Sequence, residues 1–198
     1  MLDKPSLRIV GTRQPTVYGT QMAERMGREL AKRSLAIISG LARGLDAIAQ
    51  EGATSVGGRA IGVLGTGIDI CYPKENKKLY EKVLEGGAII SELPTGSHPA
   101  PENFPVRNRI IAGMPLGVVI VEGKEHSGSR ITARLAMEFG REVFGVPGNA
   151  TQEVSFAVTS AEDVIEELST PVRAALVQAE VVGSEKRNSL MESGLTIT

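Results

Sequence analysis

The chain has 198 residues, 41% of them hydrophobic, with 23 glycines and a formal net charge of −1. That is enough for one domain with a sizeable core. The charge excludes a protein coated in positive charge for a duplex or a membrane surface, yet leaves room for a local basic groove.

A single cysteine, Cys71, gives no disulfide framework and suits a reducing cytosol. With His98 and His126 it shares no ligand-like spacing, so neither a metal nor another cofactor is expected. No leader and no long apolar run precede "SLRIVGTR", which sets the expectation of a cytoplasmic protein without membrane contact.

In chain order, "LRIVGT" (Leu7–Thr12) is a short apolar run, followed by a helical pattern with Met22, Met26 and Leu30 on one face. "LAIISG" (Leu35–Gly40) precedes a helix through Ala47, Ile48 and Ala53. "AIGVLGTG" (Ala60–Gly67) leads into "ENKKLYEKVLEGG", and "AIISE" (Ala88–Glu92) runs through a proline-rich loop to "RNRIIAGM". "LGVVIVEG" (Leu116–Gly123) precedes "SRITARLAMEFG", and "EVFGVPG" (Glu142–Gly148) comes last. Six apolar runs alternating with helical segments predict an α/β fold: an extended Rossmann-like sandwich, its sheet mostly parallel, with helices on both faces. Residues 1–168 form that domain, and 169–198 read as a linker or partly helical tail.

Ligands of such sheets bind outside the carboxyl ends of the strands. Those ends read "VGTRQP", "SGLARG", "GTGIDICYP", "SELPTGSHPAPENFPVRNR", "VEGKEHSGSR" and "VPGN", and nearly every unusual residue lies on that rim. A dinucleotide site is excluded, because the first turn lacks G-x-G-x-x-G and no acidic residue closes the second strand. No G-x-x-x-x-G-K-[ST] occurs either, so nucleotide hydrolysis is not expected.

The rim instead repeats glycine or serine beside arginine. Arg13 follows Gly11; Arg43 lies in the turn that runs from Ser39 and Gly40 to Gly44. Arg107 and Arg109 open a helix, and Arg130 follows Ser127, Gly128 and Ser129. Glycines let a backbone approach an anion, and helix starts donate N–H groups to it, so several such turns imply several phosphates in a row. Arg43 sits where a helix dipole disfavours a cation, a penalty that a bound phosphate reverses. Phe104, in the proline-rich loop, can stack a base or tuck back into the core. Asn103 and Asn108 can read a base edge or hold the loop.

"VGTRQPTVYG", "SGLARGLDAIAQEGA", "AIGVLGTGIDICYPKENKKLY", "ISELPTGSHPAPENFPVRNRIIAG" and "SGSRITARLAMEFGREVFGVPGN" resemble the DNA-processing protein A (DprA/Smf) family from about Arg8 to Leu168. The resemblance implies an extended Rossmann domain, acting as a homodimer and not catalytic. It implies binding and protection of single-stranded DNA, and transfer of that DNA to the RecA recombinase during natural transformation. It places Gly40, Arg43 and Gly44 in a phosphate-binding turn, Phe104, Arg107 and Asn108 in a DNA-contacting loop, and Ser127–Ser129 in a further anion-binding turn, with Arg130 in place of an aliphatic residue.

The chain departs from the family in lacking an N-terminal helical extension and a C-terminal winged-helix domain. The glycine- and asparagine-containing segment usual before "VTSAEDV" is also missing between Ala157 and Val158, as a deletion or as a stretch left out of the chain. A late helix carrying Val164, Ile165 and Leu168 can pack against a partner or against its own sheet.

The competing reading is a nucleotide-cleaving phosphoribohydrolase on a related sheet. It needs a rim carboxylate, for which Glu122, Glu92, Asp69 and Asp46 are available, but the expected double-glycine turn with its following glutamate is missing from "VEGKEHSGSR".

Overall fold

The computed structural model describes residues 5–123, 128–147 and 156–168, with Arg173 alone beyond them. The elements in order are β1 (Ser6–Gly11), α1 (Val17–Lys32), β2 (Ala36–Ser39), α2 (Leu45–Thr54), β3 (Ala60–Val63), a 3-10 turn (Lys74–Asn76), α3 (Lys77–Gly86) and β4 (Ala88–Ile90). They continue with α4 (Asn103–Gly113), β5 (Gly117–Glu122), α5 (Gly128–Glu138), β6 (Glu142–Gly145), β7 (Phe156–Ala157) and α6 (Ala161–Glu167). The seven strands form one sheet in the order β4-β3-β2-β1-β5-β6-β7, and every neighbouring pair is parallel. The fold is therefore the expected Rossmann-like α/β sandwich.

Side chains alternate across β1. Leu7 and Ile9 enter one core with Met22, Met26 and Leu30, the helix face read from the sequence. Val10 enters the opposite core with Ala112 of α4 and Ala133 of α5, and Arg8 shares its parity. Ala36, Ile38, Ile61 and Val63 extend that second core against Ile111 of α4, while α2 and α3 meet over Ala47, Leu79 and Val83 on the first side. The strand order reverses at β1, with β2 to β4 on one side and β5 to β7 on the other. This is the switch point at which a doubly wound sheet opens a crevice beyond its strand ends.

Two elements differ from expectation. Helix α4 begins at Asn103, so Phe104 lies in its first turn rather than in a loop, and Arg107 lies in the second turn rather than at the helix start. Pro105 conceals this start from a sequence reading, although a first turn needs no N–H from it. Strand β7 has two residues, too few for a periodic signal; Phe156 pairs with Phe144 in register, their rings 6.0 Å apart, and Ala157 runs on into fully buried Val158.

Helix α6 packs on its own sheet. Val164 and Leu168 are buried in the first core and Ile165 lies against it, so this face is internal and not available to a partner. Its start carries a capping box, in which Ser160 accepts from the Asp163 N–H and the Asp163 carboxylate accepts from the Ser160 N–H. The tail 169–198 lies, Arg173 apart, outside the described residues. Among the described residues, no helix is long and apolar enough to cross a membrane.

Candidate nucleic-acid interface

The switch point holds a cavity of about 420 Å³. Gly11 and Arg13 from the β1 turn, Arg43 from the β2 turn, Phe104, Arg107 and Asn108 from α4, and Gly128 and Ser129 from the start of α5 line it together. Eight of the residues singled out in the sequence therefore converge from four separate chain segments. An adjoining groove of about 440 Å³ shares Arg13, Arg43, Phe104, Arg107 and Asn108, and adds Tyr72, Pro101, Pro105 and Ile131.

The turn between β2 and α2 is held from several directions. Gly44 has φ +79°, and a Cβ there would strike the backbone of Thr12 and Arg13, so the β1 and β2 turns abut through a glycine. Leu41, also left-handed at φ 52°, is fully buried. Asn76 donates from Nδ2 to the Leu41 and Ala42 carbonyls, at 2.9 and 3.3 Å. Asp46, in the first turn of α2, accepts from the Gly40 N–H at 3.4 Å.

Arg107 is 7% exposed and sits beneath this turn. Its Nη1 donates to the Gly40 carbonyl at 3.0 Å and to the Val63 carbonyl. A Cβ on Gly40 would overlap its guanidinium, so glycine makes the space that Arg107 fills. Burial, with Arg8 nearby, pulls the Arg107 pKa down to about 10, and the group stays charged at neutral pH. Arg107 therefore braces the cavity wall. The Phe104 ring lies 5.8 Å from that guanidinium and 5.7 Å from the Tyr72 ring, which puts two partly exposed aromatics at the mouth.

Arg13 and Arg43 are exposed. Arg43 is paired by Nε with the Glu75 carboxylate, which raises its pKa and holds that of Glu75 down. That partner also answers why a cation is tolerated at the start of α2.

The other singled-out residues lie elsewhere. Ser39 is buried at the end of β2, its Oγ without a partner, and Gly40 and Gly44 shape the turn without lining the cavity. Asn103 donates to the His98 carbonyl at 3.5 Å and so holds its loop. Arg109 points away from the cavity, paired with both oxygens of Glu92 at 2.5 Å. Ser127 lies outside the described residues.

The sequence reading missed Arg8 and Tyr72. Arg8 is 3% exposed and lines the cavity; Nη2 lies 3.6 Å from Asp46 Oδ2, while Nε and Nη1 have no partner. Its signal in the sequence was a charge in the middle of an apolar strand run.

The rim carboxylates are engaged. Glu122 accepts from Thr16 N and Oγ1 at 3.1 and 3.0 Å, and Asp69 accepts from the Gly96 N–H at 2.9 and 3.1 Å. Among the described residues, Asp46 is the carboxylate lining the cavity. No group of three or more His, Cys, Asp or Glu that could hold a metal occurs among them.

An all-parallel doubly wound sheet with an arginine-lined cavity at its switch point defines a Rossmann-like domain. The chain belongs to the family described as DNA recombination-mediator protein A, which matches residues 1–176. It is 46% identical to Protein Smf of Synechocystis sp. over 145 residues, 73% of this chain and 36% of that protein.

The structure resembles DNA processing protein A of Streptococcus pneumoniae, with a TM-score of 0.75 and 38% identity over 85% of this chain and 63% of that one. It also resembles DNA processing protein A of Helicobacter pylori, a protein described by its single-stranded DNA binding mode. There the TM-score is 0.70 and the identity 29%, over 90% of this chain and 81% of that one. The chain spans between about a third and two thirds of the length of the curated relatives it matches first.

Proposed function

We propose that this domain binds single-stranded DNA at the carboxyl rim of its sheet and, as a homodimer in the cytoplasm, passes that DNA to the RecA recombinase during natural transformation. One observation carries the binding step: Arg13, Arg43, Phe104 and Asn108 meet at one cavity mouth, beside Tyr72. Exposed guanidiniums take the phosphates, and the aromatic pair offers a stacking face to an unpaired base. A duplex keeps its bases stacked inside, and its phosphates run on a broad cylinder that a mouth between four turns does not follow. Membership of the family and the likeness to the Helicobacter pylori protein support the same reading.

The domain acts by binding and not by cleaving. A phosphoribohydrolase needs a carboxylate free to face the sugar, and Asp46 is taken up by the Gly40 N–H and Arg8.

An anisotropy titration with single- and double-stranded oligonucleotides of equal length, across salt concentrations, tests the binding step. Single strands are expected to bind more tightly at every salt concentration; equal affinity overturns the reading. Free base released from nucleoside monophosphates would favour the enzyme instead.

A further inference from the structure

Among the described residues lining the cavity, Arg8 is the basic group carried by a strand. Its side chain is 4% exposed, it rises from the central strand to Asp46, and its Nε and Nη1 have no partner. Arg107 beside it is also buried and leaves its own Nε unpartnered. Two enclosed guanidiniums thus face the single carboxylate of Asp46, an excess of positive charge in the sheet's central crevice. Burial lowers the pKa of Arg8, as expected for a cation short of a counterion. Arg107 meets the Gly40 and Val63 carbonyls and so serves the scaffold, whereas Arg8 reaches Asp46 alone and keeps two nitrogens unmet for the same desolvation cost. A second anion entering the cavity meets them.

The chemistry of that anion follows from the donor set and the space. A guanidinium fork matches phosphate oxygens two at a time. The Arg8 backbone lies three residues before Gly11 at the end of β1, about 10 Å below the rim along the strand. Val10 and Thr132 line the wall nearby. A volume of about 420 Å³ sits low in the range filled by single small ligands, roughly 300–1,000 Å³. A strand that descended to Arg8 and climbed out again would need room for several nucleotides, whereas one that ends there needs room for one. Two guanidiniums against one carboxylate leave a net positive charge that an internal diester or a terminal phosphate can each neutralise, so depth and volume, and not charge, select a chain end.

We propose that the cavity floor at Arg8 seats the terminal phosphomonoester of a nucleotide, carried on the end of a single strand or on a free mononucleotide. The inference rests on the reading of the rim as a nucleic-acid site and specifies which part of the ligand enters the cavity.

The test compares oligothymidine of one length bearing a 5′-phosphate, a 3′-phosphate or neither, by fluorescence anisotropy on the full chain. One phosphorylated strand is expected to bind about tenfold or more tightly than the unphosphorylated one. In Arg8→Gln that ratio falls to about one, while the unphosphorylated strand still binds at the intact rim. No preference in the unaltered chain overturns the proposal, as does a preference that survives Arg8→Gln. If no strand binds, the reading of the rim fails on its own, and calorimetry with thymidine 5′-monophosphate decides the seat. Binding that Arg8→Gln abolishes upholds it, and no binding ends it. Circular dichroism checks the fold of the variant; if Arg8→Gln unfolds, Arg8→Lys takes its place. Lysine keeps the charge without the fork and lowers the preference, and an unchanged preference overturns the assignment to Arg8.

Discussion

Arg43 and Glu75 close an ion pair beside the cavity, 32 residues apart in sequence and each about half exposed. Arg43 is the exposed guanidinium of the glycine turn, and Glu75 belongs to the 3-10 turn that also anchors that turn through Asn76. A phosphate arriving at Arg43 competes with the carboxylate. Glu75→Gln is therefore expected to strengthen single-strand binding severalfold at low salt, with the gain shrinking as salt screens the pair. Unchanged or weaker binding in an anisotropy titration would contradict the competition.

Arg43→Ala acts in the other direction. Loss of one charge-assisted contact weakens binding by roughly tenfold or more. The slope of log affinity against log salt falls by about 0.7, one phosphate on a single strand. Lysine recovers part of the loss, since a point charge cannot reproduce the planar fork. Melting temperature should barely move, because the pair with Glu75 is exposed. An alanine variant with full affinity would remove Arg43 from the interface.

Phe104→Ala removes one member of the aromatic pair. Stacking of a base on an aromatic ring is worth about 1–3 kcal/mol, so affinity falls at least several-fold with the salt slope unchanged. Phe104→Tyr keeps the face and most of the affinity. Unchanged affinity in Phe104→Ala would remove the ring from the interface.

Arg107 is expected to behave as a brace. Arg107→Met leaves the carbonyls of Gly40 and Val63 without their donor, and each unmet buried group costs about 1–3 kcal/mol. Gly40→Ala forces the same guanidinium out and destabilises in parallel. Chemical denaturation should show both losses, and combining the two changes should cost less than their sum. Additive losses would mean that Gly40 matters for some reason other than Arg107.

The cap of α6 sets an acid dependence. The backbone N–H of Thr159, followed by the hydroxyls of Ser160 and Thr159, pulls the Asp163 pKa down from 3.8 to about 2. A depressed folded-state pKa gives stability that is fully present above about 4 and is lost as pH falls toward about 2. Asp163→Asn should lower the melting temperature at neutral pH and flatten its acid dependence across that window. A parallel downward shift at every pH would rule the carboxylate out.

The strand pattern was legible because parallel strands covered on both faces leave apolar runs, and six of the seven did so. The start of α4 was not, because "PENFP" has the composition of a loop while its proline sits where a helix tolerates one. Arg13 and Arg43 were legible because arginine beside glycine stands out in a rim turn. Arg8 was hidden by its position in a strand, where one charge among apolar residues looks incidental until the fold sets Asp46 and Arg107 around it. The Glu75 partner of Arg43 comes from a different turn, and no spacing links the two. Tyr72 reads as a lone aromatic until α4 brings Phe104 alongside.

The five residues from Gly40 to Gly44 serve as a common fastening point. Asp46 grips the Gly40 amide, Arg107 its carbonyl, Asn76 the next two carbonyls, and Gly44 lies hard against Thr12 and Arg13. These ties come from α2, α4, the 3-10 turn and the turn after β1, so the three cavity walls those turns and α4 provide are held to one another through one short segment. For the proposed strand-binding role, the ordering of these three walls is settled when the domain folds and not when a strand arrives. Encounter should then depend on steering by charge and not on a slow conformational gate. Damage at any one fastening should widen the whole cavity, loosening contacts on turns that the damaged residue never touches.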